Sequence, residues 1–203
     1  MSDQLDLATY AQSFGDRPVP LILQKLLHFQ NTVGPAYSQS ILLDYYERGK
    51  FDLEFYEGHA HQLITFAYCD SSGDEYVLWD NAGNPDIEQW PVVMLDTEGG
   101  YTIMARNLAE FISTTWCDRI PHATWINSKT FKDDPFLGGY MGVAEDEAPS
   151  EFAQAYKQFL AEELKLDVTQ DPDQVVKAAQ AQFLDGFIEW HRPFELRFEE
   201  SED

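Results

Sequence analysis

Cysteine is scarce in this chain of 203 residues, with Cys69 and Cys117 as its two thiols. Two cysteines fit neither the disulfide framework of a small secreted protein nor a zinc cluster. We therefore expect a protein of a reducing compartment, in which both thiols pack as small apolar groups.

Long apolar runs are also missing. The longest, such as residues 91–95, are far shorter than the roughly 20 residues that a helix needs to cross a bilayer. The first four residues, Met1 to Gln4, lack the basic and then apolar pattern of a signal peptide. These absences predict a soluble, cytoplasmic protein that is neither exported nor inserted into a membrane.

Basic residues are few, because 13 Lys and Arg stand against 36 Asp and Glu, for a formal net charge of −23. Between Phe51 and Ala105 the sequence has no Lys or Arg, whereas 11 acidic residues fall inside this segment. Such a field repels phosphate backbones and anionic headgroups, which disfavours binding to nucleic acid or to a membrane surface. It would accelerate the encounter with a basic protein. Acidity that serves only solubility is the alternative.

Alternation of Phe51, Leu53 and Phe55 with polar residues predicts a first strand, and turn residues divide the segment after it into further short strands. The predicted strands are residues 51–55, 63–69, 75–79, 91–95 and 101–104. Connections of Gly, Ser and Asp at residues 71–74 and 96–100 are typical of hairpins, so successive strands should pair antiparallel. Residues 80–90 form a longer connection rich in turn-forming residues, and loops of this size often carry function.

Helical periodicity is found on both sides of these strands. The predicted helices are residues 22–33 and 41–46, a helix capped by Asn107, and two C-terminal helices capped by Ser150 and Asp171. Glu110 should return a hydrogen bond to the Asn107 cap, and Pro193 should stop the last helix. The apolar stripes of the C-terminal helices need cover, so we expect these helices to pack on each other and on the sheet or its helices.

Together these patterns predict an α+β fold. Its centre would be an antiparallel meander sheet of about five strands with helices packed on one side, plus a C-terminal helical extension. Residues 1–131 would form the α+β domain, and residues 132–203 an irregular connection and the helical extension, packed on the same domain.

Signals for metal binding and catalysis are weak. His59 and His61 would put two imidazoles on one side of a strand as half of a metal site, but the other histidines are scattered along the chain. The carboxylates are too many for one acid–base pair to be selected, and no glycine motif that cradles phosphate is present. We therefore predict no metal, no cofactor and no catalytic residue. An enzyme with carboxylate or histidine chemistry under the loop of residues 80–90 is the alternative.

The predicted binding surface lies on the segment free of basic residues and on its longest loop. A basic protein is the expected partner. Trp90, in that loop, is either the aromatic anchor of the interface or a core residue. The predicted partner-binding residues are Asp70, Asp74, Glu75, Asp80, Asp86, Glu88, Trp90, Asp96 and Glu98.

The elements between roughly residues 18 and 116 follow one another in a distinctive order. A Pro-rich step at residues 17–20 introduces a helix, and an acidic meander follows. Residues 91–100 then lead into residues 103–112, which gives a late strand, a short acidic turn, another strand and a helix ending in a Glu-Phe-aliphatic step. This order resembles the SUKH superfamily, and residues 76–80 are similar to the central strand of that superfamily.

The SUKH superfamily includes bacterial toxin-immunity proteins and fungal regulators of cell-wall synthesis. The resemblance implies an α+β domain without known catalytic chemistry. As in the bacterial members, it implies an immunity protein that neutralises a cognate toxin by direct binding. The charge of this chain suits a basic toxin, for example a nuclease whose substrate groove the carboxylates would occupy. A regulatory scaffold without a toxin partner is the alternative.

Overall fold

The computed structural model describes residues 4–45, 59–69, 73–81, 83–95, 100–119, 121 and 148–201. Within them, four strands form one antiparallel sheet in the order β1-β2-β3-β4. The strands are β1 Leu63–Cys69, β2 Asp74–Trp79, β3 Val92–Leu95 and β4 Tyr101–Ala105. The predicted meander is confirmed for these strands, and the strand predicted at residues 51–55 lies outside the described residues.

Five α-helices surround the sheet in the described part of the chain. They are α1 Leu7–Ala11, α2 Leu21–Val33, α3 Leu108–Thr114, α4 Ala153–Glu162 and α5 Pro172–Ser201. Helix α1 was not predicted, because it is only five residues long. At its start, the Asp6 carboxylate accepts the backbone N–H of Thr9 at 2.9 Å. None of the described helices is long and apolar enough to cross a membrane.

The helix predicted at residues 41–46 is wrong over its described part. Residues 41–45 are not helical, and Leu42 forms an antiparallel bridge to Tyr68 of β1 through backbone hydrogen bonds of 3.0 and 2.8 Å. Ile41 and Leu43 are buried, whereas Leu42 between them is half-buried. Residues 41–43 therefore belong to an extended segment beside the sheet edge, in which burial alternates with a period of two.

Helices cover both faces of the sheet. On the first face, side chains such as Phe66, Tyr76 and Met94 share a core with α1 to α4 and with the start of α5. On the second face, side chains such as Trp79 and Ile103 share a core with the rest of α5. The prediction that helices pack on one side of the sheet is therefore wrong. The physical sign is that every residue of β2, β3 and β4 is buried, as expected for a sheet covered on both faces.

The two C-terminal helices belong mainly to different layers. In α4, Phe159 stacks on Phe29 of α2 with ring centroids 4.5 Å apart, so α4 joins the first core. Helix α5 lies along β4 and continues through Pro193, which was predicted to end it. Phe194, the next residue, is buried in the second core, and this packing favours the helix beyond the proline. The predicted domain boundary at residue 131 lies outside the described residues and stays a prediction.

Candidate functional site: the acidic loop

Residues 80–90, here called the acidic loop, connect the end of β2 to the start of β3. Both of its ends are fixed by backbone hydrogen bonds. Trp79 N–H donates to the carbonyl of Pro91 at 3.0 Å, and Asp80 N–H donates to the carbonyl of Gln62 at 2.8 Å. These hydrogen bonds hold the two ends of the loop next to each other, at the point where it leaves the paired strands β2 and β3.

Side chains of the acidic loop stabilise its turns. Asp80 Oδ1 accepts the N–H of Gly83 at 2.6 Å, and Gly83 has a φ of 65°, a conformation that glycine adopts without strain. Asn84 Oδ1 accepts the N–H of Asp86 at 3.0 Å, and Asp86 Oδ1 accepts the N–H of Glu88 at 3.1 Å. These are local Asx-type bonds, so the loop has a defined shape that its own sequence supports.

Trp90 is a core residue, and the prediction that it forms an interface anchor is wrong. Only 1% of the residue is exposed, and its ring belongs to the first core together with Ile87. Its Nε1–H donates to the carbonyl of Asn84 at 2.7 Å. The guanidinium carbon of Arg17 lies 5.1 Å from the ring centroid, which places a cation over the aromatic face.

Two of the other predicted residues are also buried. Asp74 is 9% exposed and Glu75 is 1% exposed, so neither offers a surface to a partner. Both lie in β2, and by strand alternation Glu75 shares the face of Val77, which α5 covers. Thr65 of the neighbouring strand donates its hydroxyl to Glu75 Oε2 at 3.0 Å. The acidic side chain at this position is therefore part of the sheet and not of the predicted surface.

The acidic loop holds the accessible carboxylates of the predicted set. Asp86 is exposed, and Asp80 and Glu88 are half-buried. Asp70, Asp96 and Glu98 lie outside the described residues. The structure thus brings together three of the nine predicted residues as solvent-accessible acids within one short loop, and it assigns Trp90 to the support beneath them.

These three carboxylates have no basic side chain in ion-pair contact within the part of the chain that the structure describes. Within the described residues, no Lys or Arg forms an ion pair with Asp80, Asp86 or Glu88. Even if each of the 13 basic residues of the chain paired with one acid, 23 acids would have no basic partner. The loop therefore presents negative charge that an approaching cationic surface can reach.

Sequence patterns missed the contributions of Arg17 and Asn84. The step from Asn84 through Pro85 to Asp86 is typical of a side-chain-capped turn, so Asn84 had a readable local signal. Arg17 had none, because its contact with Trp90 joins residues that are far apart in the chain.

Burial shifts the pKa of side chains outside the acidic loop, among them Cys117 and His191. Burial raises the pKa of Cys117 to about 11, which keeps the thiol protonated. Burial lowers the pKa of His191 to about 4, which keeps the imidazole neutral. Across the residues that the structure describes, no group of three or more His, Cys, Asp and Glu is placed to hold a metal ion.

A groove of about 580 Å³ lies between α2 and the end of α4 and shares no residue with the acidic loop. Leu21, Phe29 and Phe159 form part of its apolar lining. Lys25 also lines it, and its Nζ donates to the backbone carbonyl of Glu163 at 3.5 Å. The lining thus combines apolar surface with the exposed side chains of Lys25, His28 and Glu163, and a group of three or more His, Cys, Asp and Glu that could hold a metal is absent from it as from the rest of the described residues.

Comparisons with known proteins give no match. No protein-family model matches the chain, and searches of curated proteins and of solved structures find no similar protein. The resemblance to the SUKH superfamily therefore stays a prediction from the residues that carry it.

Proposed function

We propose that the protein is a non-catalytic binding module whose acidic loop binds a basic protein, and that it acts as an immunity protein against a basic toxin. The observation that carries the proposal is the acidic loop itself. It presents Asp80, Asp86 and Glu88 without a basic neighbour in ion-pair contact among the described residues, in a turn fixed by hydrogen bonds.

A fixed acidic loop suits recognition of a cationic surface for two physical reasons. Charge complementarity steers the encounter and raises the association rate, and it disfavours acidic competitors. A loop that is already ordered loses little conformational freedom when it binds, so less of the interaction energy is spent on ordering it. Proteins that bind phosphate backbones through Lys and Arg have a surface complementary to the acidic loop, because Lys and Arg also bind carboxylates.

The SUKH resemblance supports the choice of a toxin as the partner, since it implies toxin neutralisation by bacterial members. Burial keeps the Cys117 thiol protonated, which argues against its use as a nucleophile, and makes the His191 imidazole a weak base. A regulatory scaffold would use the same acidic surface without a toxic partner, and the test below separates the two.

The test begins with capture of the partner on full-length protein, followed by its identification and its expression alone and with this chain. Co-expression should restore growth if the partner is a toxin. The triple variant Asp80→Asn, Asp86→Asn, Glu88→Gln should lose at least about tenfold in affinity and fail to restore growth.

The control carries the same charge change at exposed acids outside the loop, through Glu151→Gln, Asp185→Asn and Glu189→Gln. It should bind and protect almost as well as the natural chain. Equal losses in both triple variants would show that overall charge and not the acidic loop determines binding. A captured partner without toxicity would favour the regulatory scaffold.

A further inference from the structure

We infer that Trp90 is a positioning residue, whose buried indole N–H holds the acidic loop so that the Asp86 carboxylate and the backbone of Glu88 keep a fixed place. The inference rests on the proposed function, in which the carboxylates of the loop meet the partner. It assigns Trp90 a role that does not require contact with that partner.

The indole N–H is the link between the core and the loop. The ring is buried, with 1% of the residue exposed, and Nε1–H donates to the Asn84 carbonyl at 2.7 Å. A buried N–H that loses its acceptor is strongly disfavoured, so the turn at Asn84 is held against the ring. Trp90 N–H also donates to the carbonyl of Ile87 at 3.2 Å, which closes the other side of the turn.

Asn84 passes this constraint to the acidic residues. Its carbonyl accepts the indole N–H, and its side-chain Oδ1 accepts the N–H of Asp86 at 3.0 Å. Asp86 Oδ1 in turn accepts the N–H of Glu88 at 3.1 Å. One short series of hydrogen bonds therefore runs from the buried indole to both acidic residues.

Arg17 contacts the face of the indole ring and not the carboxylates of the loop. Its guanidinium lies over the Trp90 ring, 5.1 Å from the centroid, and makes no ion pair with the acids of the loop. The ring is thus contacted by a cation that forms no ion pair with Asp86 or Glu88. Trp90 combines burial, a hydrogen bond donated to the loop and this cation–π contact.

The test compares amide hydrogen exchange in the full-length chain and in Trp90→Phe, which keeps an aromatic ring and removes the N–H. The amides of Asp86 and Glu88 should exchange about tenfold faster in the variant, whereas the amides of β2 and β3 should keep their protection. A local effect of this kind separates positioning from a general loss of stability, which would accelerate exchange throughout the sheet.

Trp116→Phe is the matched control, because the buried Nε1–H of Trp116 has no acceptor among the residues that the structure describes. It should leave the exchange of Asp86 and Glu88 unchanged. Unchanged exchange at these amides in Trp90→Phe, or uniform acceleration across β2 and β3, would overturn the inference. Since exchange is measured on the protein alone, this outcome is independent of the growth assay, in which the charge-neutralising triple variant decides the proposed function.

Discussion

Acid should weaken the packing of α5 on the sheet through one buried group, His191. The residue is 5% exposed, and its ring stacks on Phe187 at 5.7 Å with an interplanar angle of 23°. Tyr101 of β4 lies 4.6 Å away between ring centroids and connects the histidine to the sheet. Protonation would place a charge inside this aromatic cluster, where water cannot solvate it.

The size of the effect follows from the pKa of His191, which burial lowers from 6.5 to about 4. As the pH falls below 6.5, His191 becomes protonated in the unfolded chain, whereas in the folded chain it stays neutral until about pH 4. The free energy of unfolding therefore falls across this window. One pKa unit corresponds to 1.36 kcal/mol, so the loss should reach about 2 kcal/mol at pH 5 and about 3 kcal/mol at pH 4.

Urea unfolding of the natural chain and of His191→Phe between pH 7.5 and pH 4 measures this loss. The variant keeps an aromatic ring that cannot be protonated, and the many carboxylates titrate alike in both chains. The difference at pH 7.5, where the imidazole is mostly neutral in both states, gives the packing cost of the substitution. Between pH 7.5 and pH 4 the free energy of unfolding of the natural chain should fall by about 3 kcal/mol relative to that of the variant. A difference that does not change with pH would refute the reasoning.

Two further predictions concern the fold. The Asp118 carboxylate accepts the N–H of Gln39 at 2.7 Å and the N–H and hydroxyl of Ser150 at 2.7 and 2.8 Å. Asp118→Asn should therefore lower the free energy of unfolding, measured by urea titration, by about 2 kcal/mol. An unchanged midpoint of unfolding would contradict this. A chain ending at Gln170 lacks α5, whose buried side chains such as Leu184 and Phe187 each contribute about 1.5–3 kcal/mol. Size-exclusion chromatography and near-UV circular dichroism should therefore show aggregated or molten material, and a monomer with the original melting temperature would disprove the role of α5.

Much of the sheet can be predicted from the sequence because its signals are local. Turn residues between short apolar segments suffice for β1 to β4 and their antiparallel order. The Asn107 cap is confirmed as well, since its Oδ1 accepts the N–H of Glu110 at 2.9 Å. The prediction that Glu110 returns a hydrogen bond to the Asn107 cap is wrong. The Glu110 carboxylate accepts the backbone N–H and the guanidinium of Arg106 instead, because a charged donor is the stronger partner.

Features that depend on distant residues could not be predicted. The apolar stripe of α5 shows that the helix needs a partner surface, but it does not show that the surface is the second face of the sheet. Trp90 has the same sequence signature whether it faces a partner or the core, and its contact with Arg17 is invisible to any local pattern. For the candidate site, the position of Asp80, Asp86 and Glu88 in a loop could thus be predicted, whereas the support beneath them could not.

The most direct test of the account measures the association rate of this chain with its captured partner at increasing salt. If the acidic loop steers the encounter, neutralising Asp80, Asp86 and Glu88 should slow association about tenfold at low ionic strength, and the difference should shrink as salt screens the charges. Neutralising Glu151, Asp185 and Glu189 should change the rate much less. Equal effects of the two sets, or rates that do not depend on salt, would contradict the claim that the acidic loop is the binding surface.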